Sequence, residues 1–180
     1  MSKATTGLMN DHDAILSALD LFTTILDTYS NEHIVDPEDL FDFLEFLSEF
    51  ADKCHHGKEE RLLFPAMIAA GVPDRGGPIG VMMAEHIQGR GYIHTMLESL
   101  EEPEDLSRFE KAGRAYIELL RMHIQKENNV LFPMADKAIS PEILESMNSA
   151  FEEYITKVIA QSRLAELQTQ LKALKLKYLH

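Results

Sequence analysis

The chain has 180 residues and a formal net charge of −13, which argues against a nucleic-acid or anionic-membrane partner, since either needs a basic surface. The single cysteine, Cys54, excludes an intramolecular disulfide. Without an apolar run of about 20 residues or a signal-like N-terminus, the sequence predicts a cytoplasmic protein that does not span a membrane.

Apolar residues at helical spacing from Gly7 to about Ser30 (Leu8, Ile15, Leu19, Phe22, Ile25, Leu26, Tyr29) predict a first helix. Asn31 to Asp36 reads as a loop. Asp36-Pro37-Glu38-Asp39 is a start signal, with an acid at the N-cap and proline at the first helical position. The second helix carries Leu40, Leu44, Leu47, Phe50 and Ala51; Pro65 is expected to kink it and Gly71 to end it. Gly71 to Gly80 is a connector. A third helix is expected from near Pro78 to about Leu100. Glu101 to Asp105 announces a fourth, which carries Phe109, Ala112, Tyr116, Leu119 and Leu120. Ser140-Pro141-Glu142 starts a fifth, expected to run on to the C-terminus with Leu164, Leu167, Leu171, Leu174 and Tyr178 in a heptad seam. No segment reads as a strand.

One stretch is written twice. His55-His56-Gly57-Lys58-Glu59-Glu60-Arg61-Leu62-Leu63-Phe64-Pro65 returns 68 residues later as His123-Ile124-Gln125-Lys126-Glu127-Asn128-Asn129-Val130-Leu131-Phe132-Pro133. In each copy a His precedes a Glu by four residues. On a helix these side chains lie about 40° apart on one face and about 6 Å apart along the axis. A weaker echo precedes each copy: Met9-Asn10-Asp11-His12 and Met83-Ala84-Glu85-His86. The sequence therefore predicts an all-α, antiparallel four-helix bundle made of a duplicated hairpin over residues 1–140. An additional C-terminal helix over 141–180 would pack on the bundle or mediate self-association. The candidate metal-binding residues are His12, His55, Glu59, His86, His123 and Glu127. Imidazole and carboxylate without thiolate suit iron, manganese or zinc.

These residues, with the two Leu-Phe-Pro endings, resemble the hemerythrin-like (His-His-Glu cation-binding) family over roughly residues 8 to 138. The resemblance implies two non-haem irons bridged by the two glutamates and an oxo or hydroxo group. It also implies binding or sensing of O2 or a related diatomic, with NO, peroxide or ferrous-iron chemistry as the alternative. One departure stands out. Oxygen carriers of the family have a second His one turn beyond the position of His86, where this chain has Arg90, which cannot ligate. Six ligands instead of seven would leave one iron open beside Arg90.

The neighbouring residues have plainer expectations. The internal alignment sets His56 and Glu60 apart, because their counterparts are Ile124 and Asn128. Glu60 is either an acceptor orienting an imidazole or a solvated charge. His94 is expected in the core or lining a pocket, His33 and His180 at the surface, Cys54 as a buried inert thiol, and Phe64 and Phe132 as core plugs.

Overall fold

The computed structural model describes residues 1–32, 35–101 and 106–179, and no strand occurs among them. Helix α1 is Lys3–Glu32. Helix α2 joins four consecutive pieces: α-helical Pro37–Phe46, π-helical Leu47–His56 and Glu59–Leu63, and α-helical Phe64–Ala69. Helix α3 is Pro78–Glu101. Helix α4 joins Leu106–Lys126, a π-helical Glu127–Leu131, and Phe132–Ala138; α5 is Pro141–Val158 and α6 is Gln161–Tyr178. The expected surface residues His33 and His180, and most of the Glu101–Asp105 start signal, lie outside the described residues.

The caps follow the sequence. Asp36 accepts a hydrogen bond from the Glu38 amide (3.0 Å) and Pro37 opens α2. At the other end Gly71 has φ +93°, the Val72 amide donates to Met67 O (3.0 Å), and the Gly71 amide donates to Ile68 O (2.9 Å). That pair of bonds is a Schellman cap, and only glycine adopts its left-handed residue without strain.

Neighbouring helices in the bundle run antiparallel. Phe22 stacks on Phe43 and His12 meets His55, so α1 descends as α2 rises. Arg121 pairs with Asp20, and Arg114 with Asp27, which fixes α4 against α1 in the same sense. Two apolar cores fill the bundle. One holds Ile15, Phe22, Leu26, Phe43, Leu47, Met96, Phe109 and Tyr116; the other holds Leu8, Leu63, Phe64, Met67, Met82, Leu131 and Phe132. The duplicated motif lies between them.

Two features add to the expectations. The chain stays helical through Pro65, where a kink is expected, and through Pro133. In a regular α turn the proline ring would strike the carbonyl four residues back. Here each follows a wider turn, in which the Phe64 amide bonds to Glu59 O and the Phe132 amide to Glu127 O, five residues back. The second is the C-terminal helix, which is two helices divided at Ile159–Ala160, both extended (φ −145°, ψ 138° and φ −68°, ψ 142°). The run Ile155-Thr156-Lys157-Val158-Ile159 is rich in β-branched residues, which disfavour helix. The break re-aims the chain so that α6 tracks α2, with Arg163 on Glu45 and Glu49, Gln170 on Asp42 and Lys177 on Asp39.

The heptad seam is thereby covered within the chain. Leu167 and Leu174 are buried in the first core, and Leu164, Leu171 and Tyr178 pack against it. Burying two leucines contributes roughly 3–6 kcal/mol at most. Truncation after Ala160 is therefore expected to lower the melting temperature by roughly 10 °C. A melting curve that does not move would show that the seam contributes nothing.

Candidate metal centre

Five histidines and two glutamates meet in the layer between the two cores: His12, His55, His56, Glu59, His86, His123 and Glu127, each at most 4% exposed. They form two sets of donor atoms, each set lying within 4.8 Å of one another. One is His56, Glu59, His86 and His123; the other is His12, His55, Glu59 and Glu127. Glu59 spans both, with Oε1 3.5 Å from His55 Nε2 and Oε2 3.5 Å from His86 Nε2. Glu127 also reaches both, with Oε2 3.1 Å from His12 Nε2 and 3.2 Å from His123 Nε2.

Each imidazole is oriented by an oxygen on its outer nitrogen. The Nδ1–H of His12 donates to Asn128 Oδ1 (2.7 Å), that of His55 to Asp11 (3.1 Å) and that of His56 to Asp52 (3.2 Å). Those of His86 and His123 donate to Glu60 (2.7 Å) and Glu85 (2.9 Å). Carboxylates and the amide oxygen can only accept, so each ring holds a proton on Nδ1 and turns Nε2 inward, the atom that would bind a cation. The carboxylates are in turn held by cations: Asp11 by Lys58, Glu85 by Lys126, and both Asp52 and Glu60 by Arg90.

This arrangement fits cations. Inside the layer, Nε2 of His12, His55 and His56 and all four carboxylate oxygens of Glu59 and Glu127 are buried without a hydrogen-bond partner. His86 Nε2 and His123 Nε2 are 3.1 Å apart. Two nitrogens bound at right angles to one ion at about 2.1 Å are separated by about 3 Å. Unpaired groups buried this deeply are costly, and a divalent ion satisfies them together.

The electrostatics agree. Burial pushes His55 well below its ordinary value, His56 down to about 3, and His86 down as well, so these rings are neutral donors. Burial and the neighbouring Glu127 charge push the Glu59 carboxyl well above its usual range. Glu127 is shifted the other way: burial opposes ionisation, but His123 and His12 outweigh it. Burial likewise opposes the charge on Asp52, yet hydrogen bonds from His56 and Arg90 hold it at about 2.

The echo in the sequence now has a physical meaning. Lys58 of the first copy grips Asp11 and Lys126 of the second grips Glu85, the acids that precede His12 and His86. Phe132 stacks on His12 (ring centroids 5.3 Å) and Phe64 on His86 (5.9 Å). The two hairpins thus exchange the same contacts across an approximate two-fold relation.

Comparison with known proteins agrees with the geometry. Residues 3–135 match the family model of the hemerythrin HHE cation binding domain. The chain belongs to that family. Among curated proteins, it is 42% identical over 89 residues to the iron–sulfur cluster repair protein YtfE of Musicola paradisiaca, which covers 45% of this chain and 40% of that protein. It is 36% identical over 107 residues to the YtfE of Escherichia coli O1:K1, covering 55% of this chain and 48% of the relative. The chain thus spans under half the length of these relatives. No solved structure gives a significant match.

All six sequence-derived residues of this hemerythrin-like centre converge. A seventh, His56, was set aside because its counterpart is Ile124. The internal alignment misled because α2 is π-helical up to His56, whereas α4 is α-helical through Lys126. In an α-helix consecutive side chains diverge by about 100°; the wider turn lets His55 serve one set and His56 the other. Asp52 four residues before His56 was the available signal. Gly57 makes room for this turn: a Cβ there would lie 2.1 Å from the Tyr154 hydroxyl, which donates to Lys53 O (3.1 Å).

Arg90 clamps Asp52 and Glu60 from outside the donor layer. Glu60 is the imidazole acceptor. His94 is neither core nor pocket lining: its side chain is 73% exposed, beside Glu98. Cys54 is buried, and burial pushes its thiol up to about 11. Phe64 and Phe132 are core residues as expected.

Glu59 is pushed up by burial and Glu127, and His123 is raised by Glu127 and Glu85 against the opposing effect of burial, so protons compete with a cation for both donors. Zinc affinity is accordingly expected to fall as pH is lowered. Calorimetry in two buffers of different ionisation enthalpy should register proton release on binding, and heats independent of the buffer would contradict this charge assignment.

Proposed function

We propose that the seven donors hold two non-haem iron ions, and that the centre reacts with nitric oxide or peroxide, or oxidises ferrous iron, rather than carrying O2. The observation that carries the metal reading is the pair of donor sets sharing Glu59, with their inward lone pairs unpartnered. Support for reactivity over O2 carriage comes from similarity to proteins named for iron–sulfur cluster repair. With His56 counted as a seventh donor, no donor is missing, and the reactive reading stands on that similarity.

When bound, the irons would supply electrons and Lewis acidity to a small ligand. The chain's own groups set what reaches them. All seven donors are buried, and Phe132 and Phe64 stack on His12 and His86, which shields the donors from bulk water and favours small ligands. A link to cluster repair would run through such small molecules. The set with two imidazoles, His12 and His55, has fewer donors, so the accessible position is assigned to that side, away from Arg90. Zinc or manganese would suit the same donors, and metal analysis of protein purified without added metal decides among them. A cytoplasmic location belongs to this reading, as does the absence of any helix among the described residues long and apolar enough to cross a membrane.

Two measurements test the proposal. Replacing His56 by Ala is expected to reduce bound iron from two ions per chain to about one, while Cys54→Ala keeps both. Two ions retained without His56 would remove it from the set. The diferrous protein, given nitric oxide without O2, is expected to yield nitrous oxide. Two NO, two electrons from two ferrous ions and two protons give one N2O and one water. A charge-transfer band that forms under O2 and vanishes under argon, with no N2O from NO, would favour O2 carriage.

A further inference from the structure

The two-fold relation between the hairpins is broken where an imidazole meets its outer acceptor. Position 60 of the first copy corresponds to position 128 of the second, and each faces the outer nitrogen of a histidine from the opposite hairpin. Glu60 accepts from His86 at 2.7 Å; Asn128 accepts from His12 at 2.7 Å. The distances are equal and the charges are not. A carboxylate makes its imidazole a stronger donor to a cation, whereas an amide oxygen does so weakly.

The asymmetry extends around the layer. The His56–His86–His123 set is backed by Asp52, Glu60 and Glu85, against the cations Arg90 and Lys126, leaving one negative charge. The His12–His55 set is backed by Asp11, which Lys58 cancels, and by the neutral Asn128. The copies of His56 and Asp52 in the second motif are Ile124 and Leu120, both buried in the apolar core. All three imidazoles of the first set are carboxylate-backed, but only one of two in the other.

We infer that Asn128 is a positioning residue that makes the two cation positions unequal, holding the His12–His55 position weaker than the His56–His86–His123 position. The inference rests on the metal-centre reading but not on any reaction with NO. Asn128 is half-exposed, so an aspartate there keeps its shape and remains hydrated.

Anaerobic cobalt(II) titration of the metal-free full chain, against a competing chelator and followed by visible absorption, provides the test. The parent is expected to bind two ions in steps at least about tenfold apart. His12→Ala removes the weaker step and His86→Ala the tighter. Asn128→Asp tightens the weaker step about tenfold, Asn128→Ala loosens it, and Glu60→Gln loosens the tighter step about tenfold. A packing role alone would loosen binding in both Asn128 variants, so the opposite signs separate the two explanations. Should Asn128→Asp fail to fold, Glu60→Gln still reads the effect from the other side. Two equal steps in the parent, or an Asn128→Asp effect confined to the tighter step, overturn the inference while leaving the metal centre standing. Absence of any bound cobalt overturns both.

Discussion

A layer of buried imidazoles and carboxylates between two apolar cores governs the structure. Polar groups so far from water destabilise a fold unless each finds a partner. The chain meets the outer half of that demand with protein atoms: an oxygen for every Nδ1 and a cation for every carboxylate acceptor. The inner half is left to ions, since Nε2 of His12, His55 and His56 is buried without a hydrogen-bond partner. Rigid outer partners fix ring orientation and tautomer before any ion arrives, and that pre-organisation favours binding.

Duplication is an economical way to build such a layer. One hairpin carries a His-acid pair on its first helix and a His-Lys-Glu-Phe series on its second; its copy supplies complementary contacts from the facing side. The departures from duplication then carry the individuality of the centre. Replacement of an apolar Leu–Ile pair by Asp52 and His56 adds a donor to one side. Arg90 balances the added charge by gripping Asp52 and Glu60 together.

Much of this was legible in the residues. The repeat spacing revealed the helical pairing, the hairpin duplication and six of the seven inner groups. Capping residues Asp36, Gly71 and Ser140 marked helix ends correctly. What escaped was helical pitch. A sequence read at 3.6 residues per turn turns His56 away, which does not survive the stretch of wider turns in α2; Arg90, on the regular α3, is drawn off the site by Asp52 and Glu60. The break at Ile159–Ala160 was also hidden, because neither glycine nor proline marks it and its cause is a β-branched run together with packing on α2. His94, expected in the core or lining a pocket, lies instead on the exposed face of α3 beside Glu98.

The Tyr154 contact has a consequence for where the cooperative unit ends. The stretch shared with the hemerythrin HHE family stops at residue 135, yet Tyr154 on α5 binds the Lys53 carbonyl within the π-helical part of α2, and Phe151 lies over Lys58. These contacts reach the wide turn that carries His55 and His56 from beyond the family's boundary. The packing that surrounds the motif therefore extends past the stretch that the family shares.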